Sequence, residues 1–171
     1  MVSLLSLVSF TVEAYGAGMF DETGRFAGSY LCVGSASGGI KFEAASKKWV
    51  PATFNVSDSK FVVAVRSGSI KEIPVFGMRV QAMQYQISIR PFGSDGRGCG
   101  VSSRMLELDI EPPRLSIFPS GRVQCSSSLE DYDFNFGDLR YLRVYPVGFI
   151  DGQDNDRNTP NIEIGTCSRI D

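Results

Sequence analysis

Apolar and polar residues alternate with a period of two along most of this chain, and no segment carries a sustained helical period. Tyr132, Phe134 and Phe136 alternate with Asp133 and Asn135. Met83, Tyr85, Ile87 and Ile89 alternate with Gln84, Gln86 and Ser88. Leu106, Leu108 and Ile110 alternate with Glu107 and Asp109, and Ile162 and Ile164 flank Glu163. Each pattern predicts a strand with its apolar side chains on a core and its polar ones in water. Turn residues punctuate the runs. Ser37-Gly38-Gly39 predicts a turn between Tyr30–Val33 and Ile40–Glu43. Ser57-Asp58-Ser59 predicts a hairpin between Trp49–Val56 and Lys60–Arg66, and Pro119-Ser120-Gly121 another between Leu115–Phe118 and Arg122–Ser126. Any helix is confined to a turn or two around Ser126–Asp131. The expectation is an all-β domain of about eight or nine strands, either an antiparallel barrel with lipocalin-like closure or a β-sandwich.

Glycine-rich Gly93–Gly100, Glu111-Pro112-Pro113 and the polar stretch Asp151–Pro160 read as loops. No repeat or linker divides the chain, so residues 15–171 form one domain. Residues 1–14 are set apart: Val2 to Val12 is uncharged and mostly apolar, too short to span a bilayer as a helix, and ends in Val12-Glu13-Ala14. This is the layout of a signal-peptide remnant without its basic start, and the competing reading is a first strand. The expected location is periplasmic or secreted.

The 171 residues are 43% hydrophobic and 21% charged, enough for a packed core, and the net charge of −2 argues against nucleic acid as a partner. Histidine is absent. Ser-His-Asp and Cys-His catalysis are thereby excluded, as are imidazole zinc sites. The four cysteines, Cys32, Cys99, Cys125 and Cys167, are far apart and form no Cys-x-x-Cys pair. Two disulfides suit an exported chain, whereas four buried thiols would suit the cytosol. Three pairings are open to four cysteines, and spacing does not choose among them. The expected one is Cys32–Cys167, tying terminal strands, with Cys99–Cys125, pinning the glycine-rich loop to a hairpin.

Several constellations invite chemistry. Asp154, Asp156 and Asn158, with Asp151 nearby, have the alternate spacing of a calcium loop, although Thr159 and Gly165 stand where an EF-hand has glycine and glutamate. Asx-turns explain the same residues without metal. Calcium is the only cofactor the sequence suggests. Glu130, Asp131 and Asp133 offer paired carboxylates for a hydrolase, with Asp131 and Asp133 on the wet face of a strand, and the Asp151–Asp156 loop is the other carboxylate set. Ser57-Asp58-Ser59-Lys60 has the Ser-x-x-Lys spacing of penicillin-recognising enzymes, in a turn where that chemistry requires a helix. Trp49 is either a stacking platform or a core anchor. Arg140, Tyr141, Arg143 and Tyr145 form an aromatic and basic strand, suited to an anion or sugar or to a rim with snorkelling arginines.

The run Ala36-Ser37-Gly38-Gly39-Ile40-Lys41-Phe42, with Lys48-Trp49 and Thr53-Phe54, resembles a group of small exported alphaproteobacterial proteins. So does the ending through Leu142-Arg143-Val144-Tyr145, Gly148–Gly152, Thr159-Pro160 and Gly165-Thr166-Cys167-Ser168. The resemblance implies export and a compact β domain, and carries over no catalytic residue. A tryptophan early in a strand is also loosely similar to lipocalins, but Lys47 stands where their Gly-x-Trp signature has glycine. The expected function is therefore a non-catalytic exported β-domain that binds a small apolar ligand or a protein. The alternatives are a carboxylate-based hydrolase and a calcium-stabilised structural module. A ligand predicts a hollow interior lined by Trp49 and the aromatic strand residues; a protein partner predicts a filled interior and an exposed apolar patch.

Overall fold

The computed structural model describes residues 18–92, 95–100 and 114–171. The alternation at Leu106–Ile110 and the leader at 1–14 lie outside these residues. Among the described residues there are nine strands: β1 (Gly28–Glu43), β2 (Lys48–Phe54), β3 (Lys60–Val75), β4 (Met78–Pro91), β5 (Arg97–Cys99), β6 (Arg122–Ser127), β7 (Glu130–Asn135), β8 (Arg140–Tyr145) and β9 (Asn161–Arg169). A 3₁₀ turn occupies Phe149–Asp151. All pairing is antiparallel, in one sheet of order β5-β4-β3-β1-β9-β8-β7-β6, with β2 also on β1. Among the described residues no helix is long and apolar enough to cross a membrane.

The chain is all-β, as the alternation predicts, but it is neither a two-sheet sandwich nor a closed barrel. The sheet coils until its edge strands β5 and β6 meet at a seam. Two backbone hydrogen bonds between Gly100 and Ser126 cross that seam, at 2.9 and 2.7 Å, and the Cys99–Cys125 disulfide fastens it. The continuous ladder stops there, because β5 is only three residues long and pairs with β4 alone. The second disulfide, Cys32–Cys167, joins directly opposed residues of β1 and β9. The expected pairing is the one formed.

Three local expectations are corrected. Ser37-Gly38-Gly39 is not a turn: β1 runs through it as one 16-residue strand with an irregularity between Gly34 and Ala36. Gly39 is needed for proximity instead, since a Cβ there would lie 2.1 Å from the Pro160 carbonyl oxygen. β2 and β3 are not a hairpin; both lie along the same side of β1, β3 against Gly28–Val33 and β2 against Ser37–Glu43. No helix forms around Ser126–Asp131, because Ser127 pairs with Glu130 and the link shrinks to a two-residue turn with Ser128 at φ 58°. The hairpin at Pro119-Ser120-Gly121 closes as a Gly121 N–H to Phe118 carbonyl turn.

The concave face holds one core. Tyr132 and Phe134 of β7 stack in a row with Phe136 just beyond its end, with successive ring centroids 5.5 and 5.3 Å apart. Phe61 from β3 meets Tyr132 and Tyr141 edge-on at 5.9 and 5.0 Å. Such pairs contribute about 0.5–1.5 kcal/mol each beyond their burial.

Candidate functional site

The last strand departs from the simplest reading of its sequence. Ile162 and Ile164 are 51% and 50% exposed, while Glu163 between them is 2% exposed. The cause is parity. Cys167 must point inward to reach Cys32, and a period of two then carries Gly165 and Glu163 inward as well. β8 adds the partners, since Tyr141 lies opposite Gly165 and Arg143 opposite Glu163. Gly165 is required by this approach: a Cβ there would come within 2.4 Å of the Tyr141 ring.

A charged cluster results inside the sheet. Glu163 Oε1 accepts from Ser59 Oγ and from the Tyr141 hydroxyl, each at 2.7 Å, and Oε2 accepts from Arg143 Nη2 at 2.8 Å. The other arm of the guanidinium meets Glu130 at 3.3 Å, and Glu130 accepts from the Tyr132 hydroxyl at 2.5 Å. Arg143 Nε is buried without a partner among the described residues. Burial opposes the charge on Arg143, but Glu130 and Glu163 outweigh it and its pKa is raised. Burial, reinforced by the carboxylate each one serves, pushes the Tyr132 and Tyr141 phenols well above 10. Both tyrosines are therefore neutral donors, not bases. Arg143 engages two carboxylates within this cluster.

The residues singled out for binding do not converge on one cavity. Tyr141 and Arg143 belong to the cluster. Tyr145 donates to Asn158 Oδ1 at 3.1 Å. Trp49 is a half-buried clasp outside the core: its Nε1–H donates to Asp154 Oδ1 at 2.9 Å, and its ring meets Phe42 and Phe149 edge-on at 5.7 and 5.6 Å. It ties the long polar loop to the β1–β2 hairpin. The calcium candidates are used in the same way. Asp151 caps the Gln153 N–H at 2.8 Å, Asp154 holds Trp49, Asn158 holds Tyr145, and Asp156 is exposed. Among the described residues no group of three or more His, Cys, Asp or Glu gathers as metal ligands would.

Two of the three hydrolase candidates face outward. Asp133 takes Arg122 through both oxygens, at 3.1 and 2.6 Å, and Gln124 at 3.0 Å. Burial raises its pKa, but these donors outweigh it and the net shift is downward, opposite to what a general acid needs. Asp131 accepts from Ser126 Oγ at 2.5 Å.

The outer face of the same strands holds the main surface feature. Two cross-strand rows run over it: Gln124–Asp133–Leu142–Ile164 and Ser126–Asp131–Val144–Ile162. Each begins polar on β6 and β7 and ends apolar on β8 and β9. Between them lies an open groove of about 500 Å³ lined by all of these residues of β6 to β8. Glu163 and Ser59 of the inner cluster and the Ile162–Ile164 surface were not among the expected sites; the inward orientation of Cys167 is the signal that would have found Glu163 and the two isoleucines. No protein-family model, curated protein or solved structure matches the chain.

Proposed function

We propose that this chain is a non-catalytic exported binding domain whose partner is a protein seated on the outer face of β8 and β9. The observation that carries the reading is the pair of apolar cross-strand couples, Leu142 with Ile164 and Val144 with Ile162, with Leu142, Ile162 and Ile164 exposed and Val144 half-buried beside a groove. A contiguous apolar surface with a polar border marks a protein contact far more often than isolated exposed residues do. The groove's apolar floor of Leu142 and Val144 suits a partner that offers an apolar knob. Mutual packing of the inward rings of Phe61, Tyr132, Phe134, Phe136 and Tyr141 supports a protein over a small apolar ligand. Two disulfides fit an oxidising compartment, in keeping with export. The carboxylates considered for hydrolysis already have donors, so no observation favours that alternative.

The test compares the immobilised wild-type chain with a Leu142→Ser/Ile164→Ser variant as bait for extracellular and periplasmic extracts. Both positions face water, so the variant should fold. The reading expects proteins retained by the wild type and lost by the variant; equal retention by both overturns it.

A further inference from the structure

Among the described residues β2 pairs with β1 alone, so its other side is an open edge. The Ile40 N–H donates to the Pro160 carbonyl at 3.1 Å, away from β2. Ile40 and Pro51 therefore oppose one another without exchanging hydrogen bonds. The positions two steps to either side, Phe42 with Trp49 and Gly38 with Thr53, share that orientation. The backbone groups of Trp49, Pro51 and Thr53 thus all face the open edge. Trp49 and Thr53 each present an N–H and a carbonyl. Pro51, in the middle of the row, has no N–H, and its ring stands where one would project. The side chains of Pro51 and Thr53 are exposed, so this edge is accessible. The sequence around it would otherwise suit strand addition. Trp49 to Ser57 carries no charge, and Trp49-Val50-Pro51-Ala52-Thr53-Phe54 is rich in aromatic and β-branched residues. An uncharged run of this kind pairs with copies of itself when it lacks proline.

We propose that Pro51 is a guard that keeps the β2 edge from pairing with the same edge of a second copy of the chain. Open edges are hazards that proteins blunt with proline or charge. A strand laid against β2 would set a carbonyl opposite Pro51 with no donor to meet it, which weakens the pairing by roughly 10-fold. A symmetric pair of β2 edges contains two such prolines, so the penalty doubles in free energy to roughly 100-fold. Pro51 takes no bond from the β1–β2 ladder in exchange, because its missing N–H points away from β1. The inference is independent of the partner surface on β8 and β9.

The experiment is sedimentation velocity over a concentration series, with hydrogen exchange measured on the same samples. Wild type, Pro51→Val and Pro51→Val/Thr53→Pro are compared. Pro51→Val supplies the missing outward donor and disturbs no bond to β1. It should self-associate roughly 100-fold more tightly than the wild type and slow the exchange of the Trp49 and Thr53 amides. Thr53→Pro removes the neighbouring outward donor. The double variant should return to wild-type association although it keeps the new side chain, which separates edge pairing from general stickiness. Both variants should retain the slow exchange of β1 and β9 that reports an intact sheet. Equal association of wild type and Pro51→Val overturns the proposal. So does association that leaves Trp49 and Thr53 unprotected, that survives Thr53→Pro, or that appears only with loss of protection in β1 and β9.

Discussion

Replacing Glu163 by Gln tests whether the inner cluster holds the sheet together. The side chain keeps its shape and loses its charge, and one terminal oxygen becomes an NH₂ group. Oε1 serves Ser59 and Tyr141, so the amide oxygen is best kept there. The NH₂ then faces Arg143 Nη2, which sat 2.8 Å from the lost oxygen, and donor meets donor. Removing one partner from a buried ion pair costs about 3–5 kcal/mol. Arg143 retains Glu130 at 3.3 Å, so the lower end applies, about 3 kcal/mol. For a chain of this size that lowers Tm by about 6–12 °C. Arg143→Met should cost more, because it leaves Glu163 and Glu130 facing one another without a cation. The double variant should cost about 1–3 kcal/mol less than the sum of the two. The assay is urea unfolding of all four chains with disulfides intact, followed by circular dichroism. A loss below about 1 kcal/mol for Glu163→Gln, the level of an ordinary neutral hydrogen bond, would refute the reasoning. So would additivity to within about 0.5 kcal/mol.

Two further outcomes follow from the structure. Burial alone would raise the Asp21 pKa, but the Tyr85 and Thr23 hydroxyls and the Gly24 N–H donate to it and hold it below its ordinary 3.8. The stability this contributes is present above pH 3.8 and is lost as pH falls through the lower folded-state value. The wild type should therefore exceed Asp21→Asn in stability at neutral pH and converge with it in acid, and a gap that persists in strong acid would contradict this. Replacing Cys99 and Cys125 by Ala opens a loop of 26 residues, worth about 3.5 kcal/mol in chain entropy. Hydrogen exchange should quicken first at Gly100 and Ser126 on the seam and last in β1 and β9, whereas uniform quickening would show that the seam is no weaker than the rest.

Much of the strand content was legible because alternation reports a pleated segment with two unlike faces. The inward sides of Tyr132, Phe134 and Phe136, and of Tyr85, Ile87 and Ile89, followed directly: their outward neighbours are polar and only one assignment buries the rings. The absence of histidine excluded imidazole chemistry, and the scattered cysteines pointed to disulfides. Alternation does not say which face is inside when the apolar face has somewhere else to go. At Ile162–Ile164 the side was chosen by the Cys32–Cys167 bond and by the register that sets Arg143 opposite Glu163, and a strand can only turn all its residues together. The sequence alone also could not tell a glycine that bends the chain from one that admits a neighbour. Gly77 turns a hairpin, while Gly39 lies within a continuous strand to leave room for the Pro160 carbonyl. Local pattern determined that this chain makes strands. Their long-range pairing decided which charge is buried, which isoleucines meet water, and that the sheet ends in a seam instead of a closed ring. Those choices depend on contacts between residues far apart in the chain, which no local window contains.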